Sequence, residues 1–104
     1  MTLLLQSIFI MDIGKTIKET RISKGFKQND FAQKCELTQA YLSKIESNQK
    51  EPALSVLKTI AQNLGVPLPV LFFLSLTTDD IDPKKQDSFD MLLPSIKGLI
   101  SNFF

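Results

Sequence analysis

Histidine is absent from this 104-residue chain, tryptophan is absent too, and cysteine occurs once, at Cys35. Without imidazole there is no side chain that titrates near neutral pH in its unperturbed state, and no Ser-His or Cys-His nucleophile pair. A zinc site built on several Cys and His ligands is excluded as well. A single thiol cannot close a disulfide within the chain, so nothing argues for an oxidising compartment. No catalytic centre, metal or cofactor is therefore expected. Long apolar runs are also missing. Residues 1–11, MTLLLQSIFIM, are uncharged and mostly apolar, but a membrane span needs about 20 such residues. The run also lacks the basic leader and small-residue cleavage site of a secretory signal. It reads as an apolar arm or short strand against a partner, or as sequence upstream of a start at Met11. No membrane association is expected, and the cytoplasm is the expected location.

What is present describes an ordinary folded chain of one domain's length, 43% hydrophobic and 22% charged. The net charge of +1 argues, at first sight, against a polyanionic partner. Its distribution says otherwise. Residues 12–66 carry nine bases against six acids, whereas residues 67–104 carry three lysines against five aspartates. A basic segment and an acidic one have been averaged, and such asymmetry hints at an electrostatic partner for the basic part.

From Asp12 onward the pattern is one of short helices. Asp12 is placed to cap the first, with Ile13 and Ile17 on one face and Gly25 as its terminating glycine. Residues 27–35 form a second, with Phe31, Ala32 and Cys35 inward. Thr38 caps a third, whose apolar stripe is Tyr41, Leu42 and Ile45. Pro52 lies near the start of a fourth, in which Leu54, Leu57, Ile60, Ala61 and Leu64 precede Gly65. Pro69 opens a short fifth. No period-two alternation long enough for a strand occurs between 12 and 76. The expected fold class is all-α. Beyond it, Asp82-Pro83 caps and opens a last segment. There Phe89, Leu92, Leu93, Ile96, Leu99, Ile100 and Phe103 follow an amphipathic helical rhythm, interrupted by Pro94.

The stretch from Phe26 to Leu64 is the informative one. Two short helices separated by Glu36 and Leu37 have the spacing of a helix-turn-helix, whose second helix enters the major groove of DNA. With Leu42 and Ile45 inward, Gln39, Ala40, Ser43 and Lys44 are left on the outer face. Gln pairs bidentately with adenine, Lys meets the guanine acceptors, and Ala touches a thymine methyl. Thr38 and Gln28, each at a helix start, are placed for phosphates, where backbone N–H groups also point. Lys27, Tyr41, Gln49 and Lys50 flank the same face and complete the expected phosphate contacts.

These residues resemble the Cro and lambda-repressor-like, or XRE, family of helix-turn-helix DNA-binding domains. The similarity covers about residues 13–74 and is carried by Arg21, Gln28, Phe31-Ala32, Leu42-Ser43-Lys44-Ile45-Glu46, Pro52, Leu57 and the Ala61–Leu64–Gly65 ending. It implies a lambda-repressor-like five-helix domain over 12–76 and a transcriptional regulator that binds a palindromic double-stranded DNA operator as a dimer. It also implies a partly buried ion pair between Arg21, the chain's only arginine, and Glu46. Four positions depart from the family pattern. Glu36 and Asn48 stand where glycine is usual, Lys27 replaces a capping Ser or Thr, and Thr20 replaces a larger apolar residue. Residues 77–104 are expected to be a dimerisation element through Phe89, Leu92, Leu93, Ile96, Leu99, Ile100 and Phe103. The alternatives are packing on the chain's own domain or a protein partner, as in an antitoxin or anti-repressor.

Overall fold

The computed structural model describes residues 12–104, so the expectations for residues 1–11 lie outside the described part. Its elements are α1 (Ile13–Ser23), α2 (Gln28–Lys34), α3 (Gln39–Glu46), α4 (Leu54–Leu64) and α5 (Leu68–Ser75). Two 3₁₀ turns follow, Thr78–Asp80 and Pro83–Lys85, and the second runs directly into α6 (Gln86–Phe103). The described residues contain no strand, and the fold is all-α, of lambda-repressor-like form with an added C-terminal helix.

One apolar cluster holds α1 to α5 together. Ile17, Phe31, Leu42, Ile45, Leu57, Ile60 and Leu71 are its fully buried large side chains. Every helix from α1 to α5 contributes at least one of them, and each such burial is worth about 1.5–3 kcal/mol relative to exposure. Cys35 belongs to this cluster as a small apolar group. Burial pushes its thiol pKa up, against smaller opposing effects of the Lys34 charge and a hydrogen bond with Asn63.

Four of the five helices end in the same way. At each end one residue adopts a positive φ: Gly25 at 84°, Glu36 at 58°, Asn48 at 61° and Gly65 at 73°. The next residue then donates its N–H back five positions, as in Phe26 to Arg21 O (3.1 Å), Leu37 to Ala32 O (2.9 Å), Gln49 to Lys44 O (2.9 Å) and Val66 to Ala61 O (3.1 Å). This Schellman arrangement satisfies helix carbonyls that would otherwise lack donors. Glycine adopts such a φ freely; Glu36 does so at a cost of about 1–2 kcal/mol.

Three local expectations are corrected. Asp12 does not cap α1 with its side chain, because its own backbone is left-handed (φ 53°, ψ 47°) rather than extended as capping requires. Its carboxylate accepts instead from Asn48 Nδ2 at 2.5 Å. The second helix is shorter than 27–35, since Lys27 is extended and serves as its N-cap without a side-chain bond. Pro94 does not divide the last helix, which is continuous for 18 residues through it. By contrast Thr38 caps α3, its Oγ1 accepting from Tyr41 N at 3.1 Å, and Asp82 Oδ1 accepts from Lys84 N at 2.9 Å.

Candidate nucleic-acid interface

The core sets which face of α3 reaches solvent. Leu42 and Ile45 are fully buried, and the turn between α2 and α3 is anchored by Cys35 and by Leu37 packed at the edge of the cluster. Gln39, Ala40, Ser43 and Lys44 are consequently all exposed along one side of α3. Lys27, Thr38, Gln49 and Lys50 are exposed at its margins, while Gln28 and Tyr41 are half-buried. The Tyr41 ring packs against the core cluster. An outward-facing row of polar side chains on a rigidly seated helix is the form that base reading in a major groove requires.

A hydrogen-bonded chain runs from the interior to this surface. Arg21 and Glu46 are both buried, at 6% and 5% exposure. Arg21 Nε donates to Glu46 Oε2 at 2.7 Å and its Nη2 to Glu46 Oε1 at 3.0 Å, a bidentate fork joining α1 to α3. Arg21 Nη1 also donates to the Phe26 carbonyl at 2.8 Å, which ties the end of α1 to the start of α2. Gln28 Nε2 donates to Glu46 Oε1 at 3.1 Å, and Gln39 Nε2 donates to Gln28 Oε1 at 3.4 Å. A carboxylate only accepts. Glu46 therefore requires the Gln28 amide nitrogen to face it, which turns the Gln28 oxygen toward Gln39. That oxygen in turn takes one N–H of Gln39 and leaves its remaining N–H and its Oε1 for an outside partner.

A family model described as Helix-turn-helix matches residues 17–71, more than half of the chain. The chain belongs to the XRE-type helix-turn-helix family. This helix-turn-helix protein is 31% identical over 84 residues to the HTH-type transcriptional regulator SinR of Bacillus subtilis (strain 168). That match covers 80% of this chain and 68% of SinR. It is 33% identical over 61 residues to the immunity repressor protein of Bacillus phage phi105, covering 59% of this chain but 42% of the phage protein. Among solved structures, the wild-type restriction-modification controller protein C.Esp1396I superposes with a TM-score of 0.59 at 31% identity. The match covers 64% of this chain and 87% of that one. The clp gene regulator ClgR from Corynebacterium glutamicum shares the fold at 17% identity, with a TM-score of 0.62 over 91% of this chain and 88% of that one. The protein is a transcriptional regulator with a helix-turn-helix DNA-binding domain.

Two residues of this helix-turn-helix protein matter more than their sequence context suggests. Asn48 Oδ1 accepts from the Gly14 backbone N–H at 3.1 Å while its Nδ2 holds Asp12, so the end of α3 caps the start of α1. Gly14 lies so close that a Cβ there would stand 2.2 Å from the Ile45 carbonyl oxygen. Both contacts join residues more than thirty positions apart, and no local pattern announces them. A third, Lys34, lies 4.8 Å above the centre of the Phe26 ring and braces the approach to α2.

The C-terminal stripe does not act as one surface. Phe89, Leu93, Ile96 and Ile100 are half-buried, facing the rest of the chain. Leu92, Leu99 and Phe103 are 57%, 60% and 77% exposed. Between α6 and the five-helix domain lies an open cleft of about 510 Å³, bordered by Thr16, Thr20, Val66, Leu74, Lys97 and Ile100 among others. The small Thr20, which stands where the family has a larger apolar residue, is part of this wall. Lys24 Nζ donates to the Phe104 carbonyl across the end of the cleft. Among the described residues no single helix is long and apolar enough to cross a membrane.

Proposed function

We propose that this protein is a cytoplasmic repressor or autoregulator that binds a palindromic operator as a dimer. Residues 12–76 are the reading unit and residues 77–104 the dimerisation element. In this reading Gln39, Ala40, Ser43 and Lys44 contact base edges, and Lys27, Gln28, Thr38, Tyr41, Gln49 and Lys50 contact phosphates. The observation that carries it is the Glu46–Gln28–Gln39 chain. It leaves Gln39 one donor and one acceptor side by side, the pattern that adenine N7 and N6 complement and that guanine, with two acceptors, does not. The likeness to a phage immunity repressor supports the repressive sign.

Selection of bound sites from a random duplex pool tests this directly. The expected result is a two-fold symmetric site, its half-sites about 34–36 Å apart, with an invariant adenine in each. A pool that enriches nothing would overturn the reading. Enrichment with a guanine in place of that adenine would overturn the role of Gln39 alone.

A further inference from the structure

The cleft between α1 and α6 is lined in a way that neither the reading face nor the core requires. Thr16, Thr20 and Lys24 border it from α1, and Lys97, Ile100 and Phe104 from the end of α6. The first set repeats every four residues and the second at three and four, so each is one stripe of its helix. Facing stripes of this kind ordinarily interlock, ridge into groove. These leave about 510 Å³ between them instead. Small-ligand clefts run from roughly 300 to 1,000 Å³. Thr20 creates the space, since the larger apolar residue usual in the family would fill it. Val66, itself buried, and Leu74 add apolar wall.

Charge selects the occupant. Lys97 is half-buried, and among the described residues its ammonium meets no carboxylate and no hydrogen-bond acceptor. The Lys24 ammonium donates to the Phe104 carbonyl, which uses one of its three N–H groups. The one acid on the wall, Glu19, is paired with Lys15 at 3.9 Å. Ser23 and Ser101 donate their hydroxyl protons to the carbonyls of Thr20 and Lys97, so neither offers a donor to the cleft. A sugar or an inorganic anion would leave the apolar wall uncovered, and a hydrocarbon would leave Lys97 without a counter-charge. We infer that the cleft binds a small organic acid, its carboxylate on Lys97 and its apolar body over Val66, Leu74 and Ile100. The site shares no residue with the reading face and needs neither DNA nor a second copy of the chain. A ligand there bridges α1 and α6. No residue of α6 is buried, so this helix opens readily, and a ligand that binds only the closed form suppresses the opening by mass action.

Titration of the full chain with octanoate, followed by amide NMR, tests this. The shifts should saturate and should centre on residues 16–24 and 97–104. At about ten times the Kd, amide exchange in α6 should slow about tenfold, as the factor 1 + [L]/Kd requires. Lys97→Met keeps the stem and removes the charge, and should weaken octanoate by about tenfold. Octanamide, the neutral isostere, should bind wild type about as weakly as octanoate binds Lys97→Met. Thr20→Leu should weaken both ligands alike by occupying their space. Both variants should keep the wild-type circular dichroism, because neither residue belongs to the buried core. Absence of saturable octanoate binding, equal affinity for octanoate and octanamide, or full affinity in either variant would each overturn the inference. None of these measurements involves DNA, so the operator reading is tested separately by the selection of bound sites.

Discussion

Individual residues decide where this chain departs from the pattern expected of it. Glu36 occupies a left-handed position that ends α2, so Glu36→Gly should stabilise the protein by about 1 kcal/mol. The side chain is exposed and makes no core contact, so the gain should appear as a higher urea midpoint at unchanged slope. Gly14 works in the opposite direction. Exchange of a helical glycine for alanine usually gains about 1 kcal/mol. Here the new methyl would collide with the Ile45 carbonyl and the Asn48 side chain. Gly14→Ala is therefore expected to lose roughly 2–3 kcal/mol, read by the same denaturation; a neutral result would mean that α1 and α3 separate easily. The contrast also shows what was legible at this scale. Gly25 and Gly65 declare helix ends by themselves, and Thr38 declares a start. Asp12 does not, because its backbone is left-handed and its carboxylate instead accepts from Asn48, 36 positions away.

At the scale of elements, the reading helix is legible because it is doubly constrained. Leu42 and Ile45 must point inward, so Gln39, Ala40, Ser43 and Lys44 have only one direction left. The polarity of the Gln28 and Gln39 amides is different in kind. It depends on the buried carboxylate of Glu46, which accepts from Gln28 across the α2–α3 contact, and only coordinates reveal it. Lys44 is the one cation on the exposed row of α3, so its part in recognition can be isolated. Lys44→Ala should weaken the selected operator by roughly 1–3 kcal/mol and random duplex by much less, measured by titration at fixed salt. Equal losses on both would show that Lys44 meets phosphate rather than a base edge. The C-terminal helix was legible as amphipathic but not as two-faced. Its seven apolar residues share one helical rhythm, and only the placement of the five-helix domain tells which of them stay open.

For the whole molecule, the near-zero net charge is a sum over parts that do different things. The bases lie mainly in residues 12–66, and the five aspartates of the tail begin only at Asp79. In the proposed reading, Lys27 and Lys50 are the exposed ammonium groups that meet phosphate, while Gln28, Thr38, Tyr41 and Gln49 are neutral groups that displace no counterion. Two copies on one operator would thus neutralise about four phosphates through these lysines, and the slope of log affinity against log salt should be roughly −4. That is shallow for a protein bound to duplex DNA, and it follows from the modest charge rather than from weak recognition. Lys27→Ala should halve it to about −2 while leaving the preferred sequence unchanged, because the loss falls equally on every duplex. A wild-type slope already near −2 would mean that one chain, not two, occupies each site. A slope unaffected by Lys27→Ala would move that lysine off the phosphate backbone. The same titration therefore tests stoichiometry and charge placement together, and it does so without the operator sequence entering the result.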